Sequence, residues 1–246
     1  MQDHELKEKT SLLAELQRQT PARIGVSRGG PRPLTRTWLK FRMDHALARD
    51  AVSSELSEDF LNHFAGPENI PVIESTAHNR KDFILYPPRG KRTEEEVLAN
   101  LQELCPRGRD VQIVISDGLS AFAVEENLAD LYPMLTLGFD LHGISYGRPI
   151  IVKYGRVAIA DQLAHALQAK VALNLIGERP GLSTASSLSA YITYNPGPAT
   201  ISSDRTVVSN IHANGTPAPE AGAFIVKTIA RILEKKVSGV NLQKLG

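Results

Sequence analysis

The chain has 246 residues, 42% of them apolar and 22% charged, with a formal net charge of +1 at pH 7. That length buries one substantial core, and the near-neutral balance offers no excess of cations for a phosphate backbone, which excludes a dedicated nucleic-acid binder. A single cysteine, Cys105, excludes an intrachain disulfide and any cysteine-based zinc or iron–sulfur site, and no apolar run approaches bilayer-spanning length.

Met1 to Lys9 is charged and lacks a long apolar run, so it does not read as a secretory signal, and the chain is expected to be a soluble cytoplasmic protein. Over residues 3–19, Leu6, Leu12, Leu13 and Leu16 fall among charges at near-helical spacing. Arg23 to Pro33 breaks any helix. There Gly25, Gly29, Gly30, Pro31 and Pro33 accompany Arg23, Arg28 and Arg32, and the two prolines remove donors and push the residues before them toward extended backbone. Such a linker lies on a surface, against the main domain or a partner. Trp38 to Asp50 reads as a helix, and residues 66–92, with Pro67, Pro71, Pro87 and Pro88, read as irregular. Residues 1–92 are therefore expected to form a helical and extended N-terminal segment.

From Thr93 the pattern becomes regular. Thr93-Glu94-Glu95-Glu96 reads as a capping box before Val97, Leu98, Leu101 and Leu104. Val111 to Ile115 is a strand of mostly β-branched residues that ends at Asp117-Gly118-Leu119-Ser120, and Ala121 to Leu141 is helical. Pro149–Tyr154 and Val171–Ile176 read as strands around a helix at Asp161–Ala169, with Leu188–Tyr194 and Thr206–Ile211 as further strands. Thr216-Pro217 marks a helix start, followed by a buried stripe of Phe224, Ile225, Ile229, Ile232 and Leu233. Strands alternating with helices predict an α/β fold over residues 93–246, with a mainly parallel sheet covered on both faces.

In such sheets a large ligand sits at the carboxyl ends of the strands. Three strand ends carry candidates. Asp117-Gly118-Leu119-Ser120 reads either as a helix cap by Ser120 or as backbone amides turned to a ligand, and spacing alone does not separate these. Glu178, directly after Val171–Ile176 and before Arg179-Pro180-Gly181, reads either as a surface ion pair or as an acceptor for ligand amides. Val157, in Tyr154-Gly155-Arg156-Val157, reads as core-facing with its backbone at the mouth of the sheet. Other signals fail. Asp140-Leu141-His142 lies late in a helical span with Ser145 where a cobalt-ligating element needs glycine. The seven histidines show no metal-binding spacing, and no Gly-x-Ser-x-Gly, Gly-x-Gly-x-x-Gly or Walker sequence is present. Cys105 reads as a surface or packing residue.

Eight elements occur in order: Arg23-Ile24-Gly25-Val26, Arg28-Gly29-Gly30-Pro31-Arg32-Pro33, Val114-Ile115-Ser116-Asp117-Gly118-Leu119-Ser120, Tyr154-Gly155-Arg156-Val157, Gly177-Glu178-Arg179-Pro180-Gly181-Leu182, Asp204-Arg205-Thr206, Ser209-Asn210-Ile211-His212 and Gly215-Thr216-Pro217. Together they resemble the light chain of ethanolamine ammonia-lyase. The resemblance implies a Rossmann-like domain over 93–246, a heavy-chain partner folded as a β/α barrel that holds ethanolamine, and adenosylcobalamin between the two. It implies production of acetaldehyde and ammonia by a radical route, with no catalytic residue on this chain. It also associates three positions with cobalamin: Val157, Glu178 and Val207. Many relatives carry cysteine at the third, so valine here removes any thiol-specific contact. About twenty residues precede the Arg23 motif, which predicts no microcompartment-targeting extension. Without the resemblance, the alternatives are a self-contained α/β enzyme acting on a nucleotide or sugar phosphate, or a pure interaction module.

Overall fold

The structure, a computed structural model, describes residues 12–20, 22–26 and 28–245. The first helix, α1, is described over residues 12–19, so Leu12, Leu13 and Leu16 lie on a helix, while Leu6 falls outside the described residues. The chain then turns back at Gly25, whose φ is +63°. That left-handed backbone favours glycine, and a Cβ there would stand 2.4 Å from Leu13 Cδ1, which would have to move. Arg28–Gly29 (β1) and Arg32–Pro33 (β2) pair as a small antiparallel hairpin. Arg23 anchors this segment to the body: its Nη2 donates to Asp44 Oδ2 at 2.6 Å and to the Leu182 carbonyl at 2.7 Å.

Helix α2 (Thr35–Ser53) contains the expected Trp38–Asp50 span, and only Ala51 of it is buried. The one-turn α3 (Glu58–Phe60) continues into a π-helical turn at Leu61–Ala65. Residues 66–92 are more regular than their prolines suggest. Val72–Glu74 form β3, and Arg80–Leu85 form α4, whose N-cap Asn79 accepts from the Asp82 N–H at 2.9 Å. The capping box expected at Thr93–Glu96 does not form. Helix α5 spans Glu95–Leu104 with Glu94 at its N-cap, and the Thr93 hydroxyl donates to the Glu74 carbonyl at 2.8 Å. A tertiary acceptor at the end of β3 has replaced the local one.

The remaining elements are β4 (Val111–Ser116), α6 (Ala121–Leu141), β5 (Ile150–Lys153), α7 (Ile159–Ala166), β6 (Val171–Gly177), β7 (Leu188–Tyr194), β8 (Arg205–Ile211), α8 (Ala218–Lys235) and α9 (Val240–Gln243). Six strands form one sheet in the order β3-β5-β4-β6-β7-β8. The first four run parallel, β7 runs antiparallel to β6, and β8 antiparallel to β7. The fold is therefore α/β with a mixed, mostly parallel sheet. Parallel neighbours need a crossover, which α6 and α7 supply; the loop from β6 to β7 has no helix, so the chain can return beside β6 only in the opposite sense.

Strand alternation divides the core between the two faces. Val111, Ile113 and Ile115 of β4, with Leu173, Leu175, Ala190 and Ile192, pack against Leu128, Leu131 and Leu135 of α6 and Ile225 and Ile229 of α8. Val114, Ile150, Val152 and Ala172 face the other way, onto Leu101 of α5 and Ile159 and Leu163 of α7. Each such aliphatic burial contributes about 1.5–3 kcal/mol. Phe224 departs from its expected stripe and is 58% exposed. Ile225, Ile229 and Ile232 share one buried face, and Phe224 sits roughly 100° away around the helix. No β7 or β8 residue belongs to the second core; α7 meets those strands through polar contacts, the Asp161–Arg205 ion pair among them.

Candidate functional site

The carboxyl end of β4 rests on a buried ion pair. Asp117 is 1% exposed; its Oδ2 accepts from Arg80 Nη1 at 3.0 Å, and its Oδ1 accepts from the Gly155 N–H at 3.0 Å. Arg80 Nη1 also donates to the Gly118 carbonyl at 2.9 Å, and its Nε to the Val52 carbonyl at 2.8 Å. One guanidinium thus joins α2, α4 and the β4–α6 turn, while Asp117 brings in the β5–α7 loop. Burial pushes the Asp117 pKa up to about 6, against the pull of Arg80 and of backbone amides from Tyr154, Gly155 and Gly118. Ser120 is the N-cap of α6, with its Oγ accepting from the Ala123 N–H at 3.2 Å, as the capping reading expects. It also donates to the Ala185 carbonyl at 2.6 Å, pinning the β6–β7 loop. Gly118 has φ +57°, and a Cβ there would fall 2.2 Å from the Gly177 carbonyl oxygen. Two strand ends meet there with no room for a side chain.

Val157 follows β5 in a loop tied down by a buried polar chain. Ser116 Oγ donates to Asn174 Oδ1 at 3.0 Å, and Asn174 Nδ2 donates to the Val157 carbonyl at 3.2 Å. Val157 is half-buried, so it faces the core only in part. Its other side lines a cavity of about 340 Å³ that it shares with Leu119, Glu178, Arg179 and Tyr191. Glu178 leaves β6 at the same end. Its Oε2 accepts from Ser187 Oγ at 2.8 Å, and its Oε1 accepts from Ser189 Oγ. No base stands at ion-pair distance from Glu178 among the described residues, so the surface ion-pair reading gives way to a carboxylate held by hydroxyls.

Val207 does not line that cavity. It lies on β8, opposite Tyr191 in register, and is 46% exposed. Asn174, Tyr191 and Val207 follow one another across β6, β7 and β8, which sets them on one face. Val157, Glu178 and Val207 therefore border a single surface, with Tyr191 between Glu178 and Val207. Burial and the charge of Glu178 push the Tyr191 pKa up. An ion pair between Arg205 of β8 and Asp161 of α7 closes the end of this face, with both side chains buried.

Sequence reasoning missed Arg80, Asn174, Ser187, Ser189 and Tyr191. The polar Asn174 inside the apolar run Val171–Ile176 is the one local signal that pointed to a buried hydrogen bond. His142 caps the end of α6 with its Nδ1 2.9 Å from the Gly138 carbonyl, and no group of three or more potential metal ligands occurs among the described residues. Cys105 packs into the second core at 5% exposure, and burial raises its pKa. No helix among the described residues is long and apolar enough to cross a membrane.

The profile of the ethanolamine ammonia-lyase light chain family matches residues 10–243. The chain belongs to that family. It is similar to the ethanolamine ammonia-lyase small subunit of Fusobacterium nucleatum, 46% identical over 226 residues, covering 92% of this chain and 75% of that one. It is likewise similar to the small subunit of Clostridium tetani, 44% identical over 229 residues, covering 93% and 76%. This light chain is thus a subunit of a carbon–nitrogen lyase, and the readings as a self-contained enzyme or a bare interaction module fall away. In it the strand-end loops of β4, β5 and β6 and the Tyr191–Val207 part of β7 and β8 border one surface.

Proposed function

We propose that this light chain closes one side of an adenosylcobalamin site whose other side is a heavy chain carrying ethanolamine. The observation that carries the reading is the surface of Val157, Glu178, Tyr191 and Val207, at strand ends and on a sheet face where Tyr191 is half-buried and Val207 is exposed. Its donor set fits the rim of a corrin. Glu178 is oriented by two hydroxyls and keeps lone pairs for amide N–H groups, Val157 offers backbone held by Asn174, and Tyr191 and Val207 offer a flat, partly apolar wall. Adenosylcobalamin supplies, when bound, the radical that takes hydrogen from ethanolamine. This chain binds and orients the cofactor's edge and keeps water from the cavity, with no proton transfer of its own. The position of the cavity at the carboxyl ends of a mostly parallel sheet supports a Rossmann-like reading of residues 93–246, with residues 1–92 as the accompanying segment. We place the assembly in the cytoplasm.

The test is co-expression with a heavy chain, purification, and titration with adenosylcobalamin followed in the visible spectrum. A saturable spectral change in the co-purified complex is expected. Failure of that complex to take up the corrinoid refutes the reading.

A further inference from the structure

Arg156 and Arg179 stand where two cavities meet. One is the cavity beside Val157 and Glu178; the other, of about 560 Å³, runs past Arg49 and Val52 of α2, and Leu119, Arg156 and Arg179 line both. Arg156 is built into the fold. Its N–H donates to the Gly90 carbonyl at 2.6 Å, its guanidinium lies 4.1 Å from the Phe83 ring centroid, and Nη2 donates to the Phe83 carbonyl at 3.1 Å. A Cβ on Gly90 would come within 2.7 Å of Arg156 Cγ, so glycine makes room for the side chain.

The charge held there is unanswered. Among the described residues no carboxylate lies at ion-pair distance from Arg156 or Arg179, and the buried Arg156 Nε has no acceptor. The like charges of Arg80 and Arg179 add to burial in lowering the Arg156 pKa, and the one opposing charge, Asp117, is already engaged by Arg80. A guanidinium fixed on Phe83 with no carboxylate partner, beside a second one at a cavity mouth, is the arrangement that an anion with two free oxygens completes.

We infer that Arg156 and Arg179 form an anion subsite that takes the phosphodiester in the nucleotide loop of cobalamin. The inference rests on the cobalamin reading above and divides the cofactor chemically: Glu178 for amide N–H groups, the two arginines for the phosphate. A free phosphate ion has the same chemistry, and the test separates the two sources.

The assembled complex is titrated by visible spectroscopy with cyanocobalamin and with dicyanocobinamide, which keeps the corrin amides but lacks the nucleotide loop and its phosphodiester. Arg179→Gln is the first variant because Arg179 is exposed; Arg156→Gln is the second, with melting curves to confirm folding. Each variant should lose about ten- to a hundredfold in cyanocobalamin affinity, the scale of a hydrogen bond between charged groups. Cobinamide affinity should stay within about twofold of the unsubstituted complex by the same scale. Equal loss for both corrinoids, or no loss for either, overturns the subsite and leaves the cobalamin reading standing. Inorganic phosphate bound at the arginines and undisturbed by cyanocobalamin also overturns it. Uptake of neither corrinoid by the unsubstituted complex overturns both.

Discussion

Replacing Asp117 tests whether the buried pair with Arg80 supports the strand ends. The two residues are 1% and 7% exposed, and Arg80 Nη2 is already buried without a partner. Asp117→Ala removes the acceptor of Arg80 Nη1 and that of the Gly155 N–H, leaving an uncompensated guanidinium inside the protein. Breaking a buried pair from one side costs about 3–5 kcal/mol. At about 2–4 °C per kcal/mol for a chain of this size, the melting temperature should fall by about 6–20 °C. The double variant Arg80→Met, Asp117→Leu should recover only part, because the Val52 and Gly118 carbonyls still lose their donor. The pH dependence has a definite sign. A folded pKa of about 6 lies above the usual aspartate value, so the folded state binds the extra proton between the two. This stabilising contribution is complete below about pH 4 and is lost as pH rises through about 6. The stability difference between the unsubstituted chain and Asp117→Asn, from urea titrations followed by circular dichroism, should decline across that window and then level off. A melting change of less than about 2 °C for Asp117→Ala, against the scale above, would refute the reasoning. So would a flat difference curve.

Glu178→Ala should weaken corrinoid binding by the assembled complex about ten- to a hundredfold, and Glu178→Gln by less because it keeps one acceptor; equal affinities by spectral titration would reduce Glu178 to a structural residue. Gly118→Ala should lower both melting temperature and corrinoid uptake, since the new methyl meets the Gly177 carbonyl at 2.2 Å and the backbone is left-handed there; a crystal structure of the variant with the two strand ends unmoved would contradict this. The light chain alone should release no ammonia from ethanolamine in a coupled assay, with release appearing on mixing with a heavy chain. Turnover by the light chain alone would show that a catalytic group was overlooked.

Long elements with their own periodicity were legible in the sequence. Ala121–Leu141 has the predicted bounds, and β4, β6, β7 and β8 differ from their predicted spans by a residue or less at each end. The strand β3 was hidden because three residues beside Pro71 carry no period; only the ladder to β5 makes it a strand. The turn from parallel to antiparallel had a signal that went unused. β6 is buried throughout, whereas Leu188-Ser189-Ala190-Tyr191-Ile192-Thr193-Tyr194 alternates apolar and polar residues, the mark of a strand with one face off the core. At the site, Glu178 and Val157 were placed by the strands they follow. Their supports were not: Asn174 and Arg80 act across long stretches of chain, Ser187 and Ser189 across the β6–β7 loop, and nothing in their neighbours in sequence announces the partner.

The fold also sets an order in which the chain can acquire its shape during synthesis. Residues made early depend on residues made late: β3 on β5, Arg80 on Asp117, and Arg23 on the carbonyl of Leu182. As the polypeptide leaves the ribosome, its front portion has helices but nothing to close upon until the strands beyond position 150 emerge. During that interval the backbone of β3 has no neighbour. Translation proceeds at about 5–20 residues per second, so this unclosed state persists for seconds. The nascent light chain is therefore most open to chaperones, or to premature self-association, while its own second half is still being made.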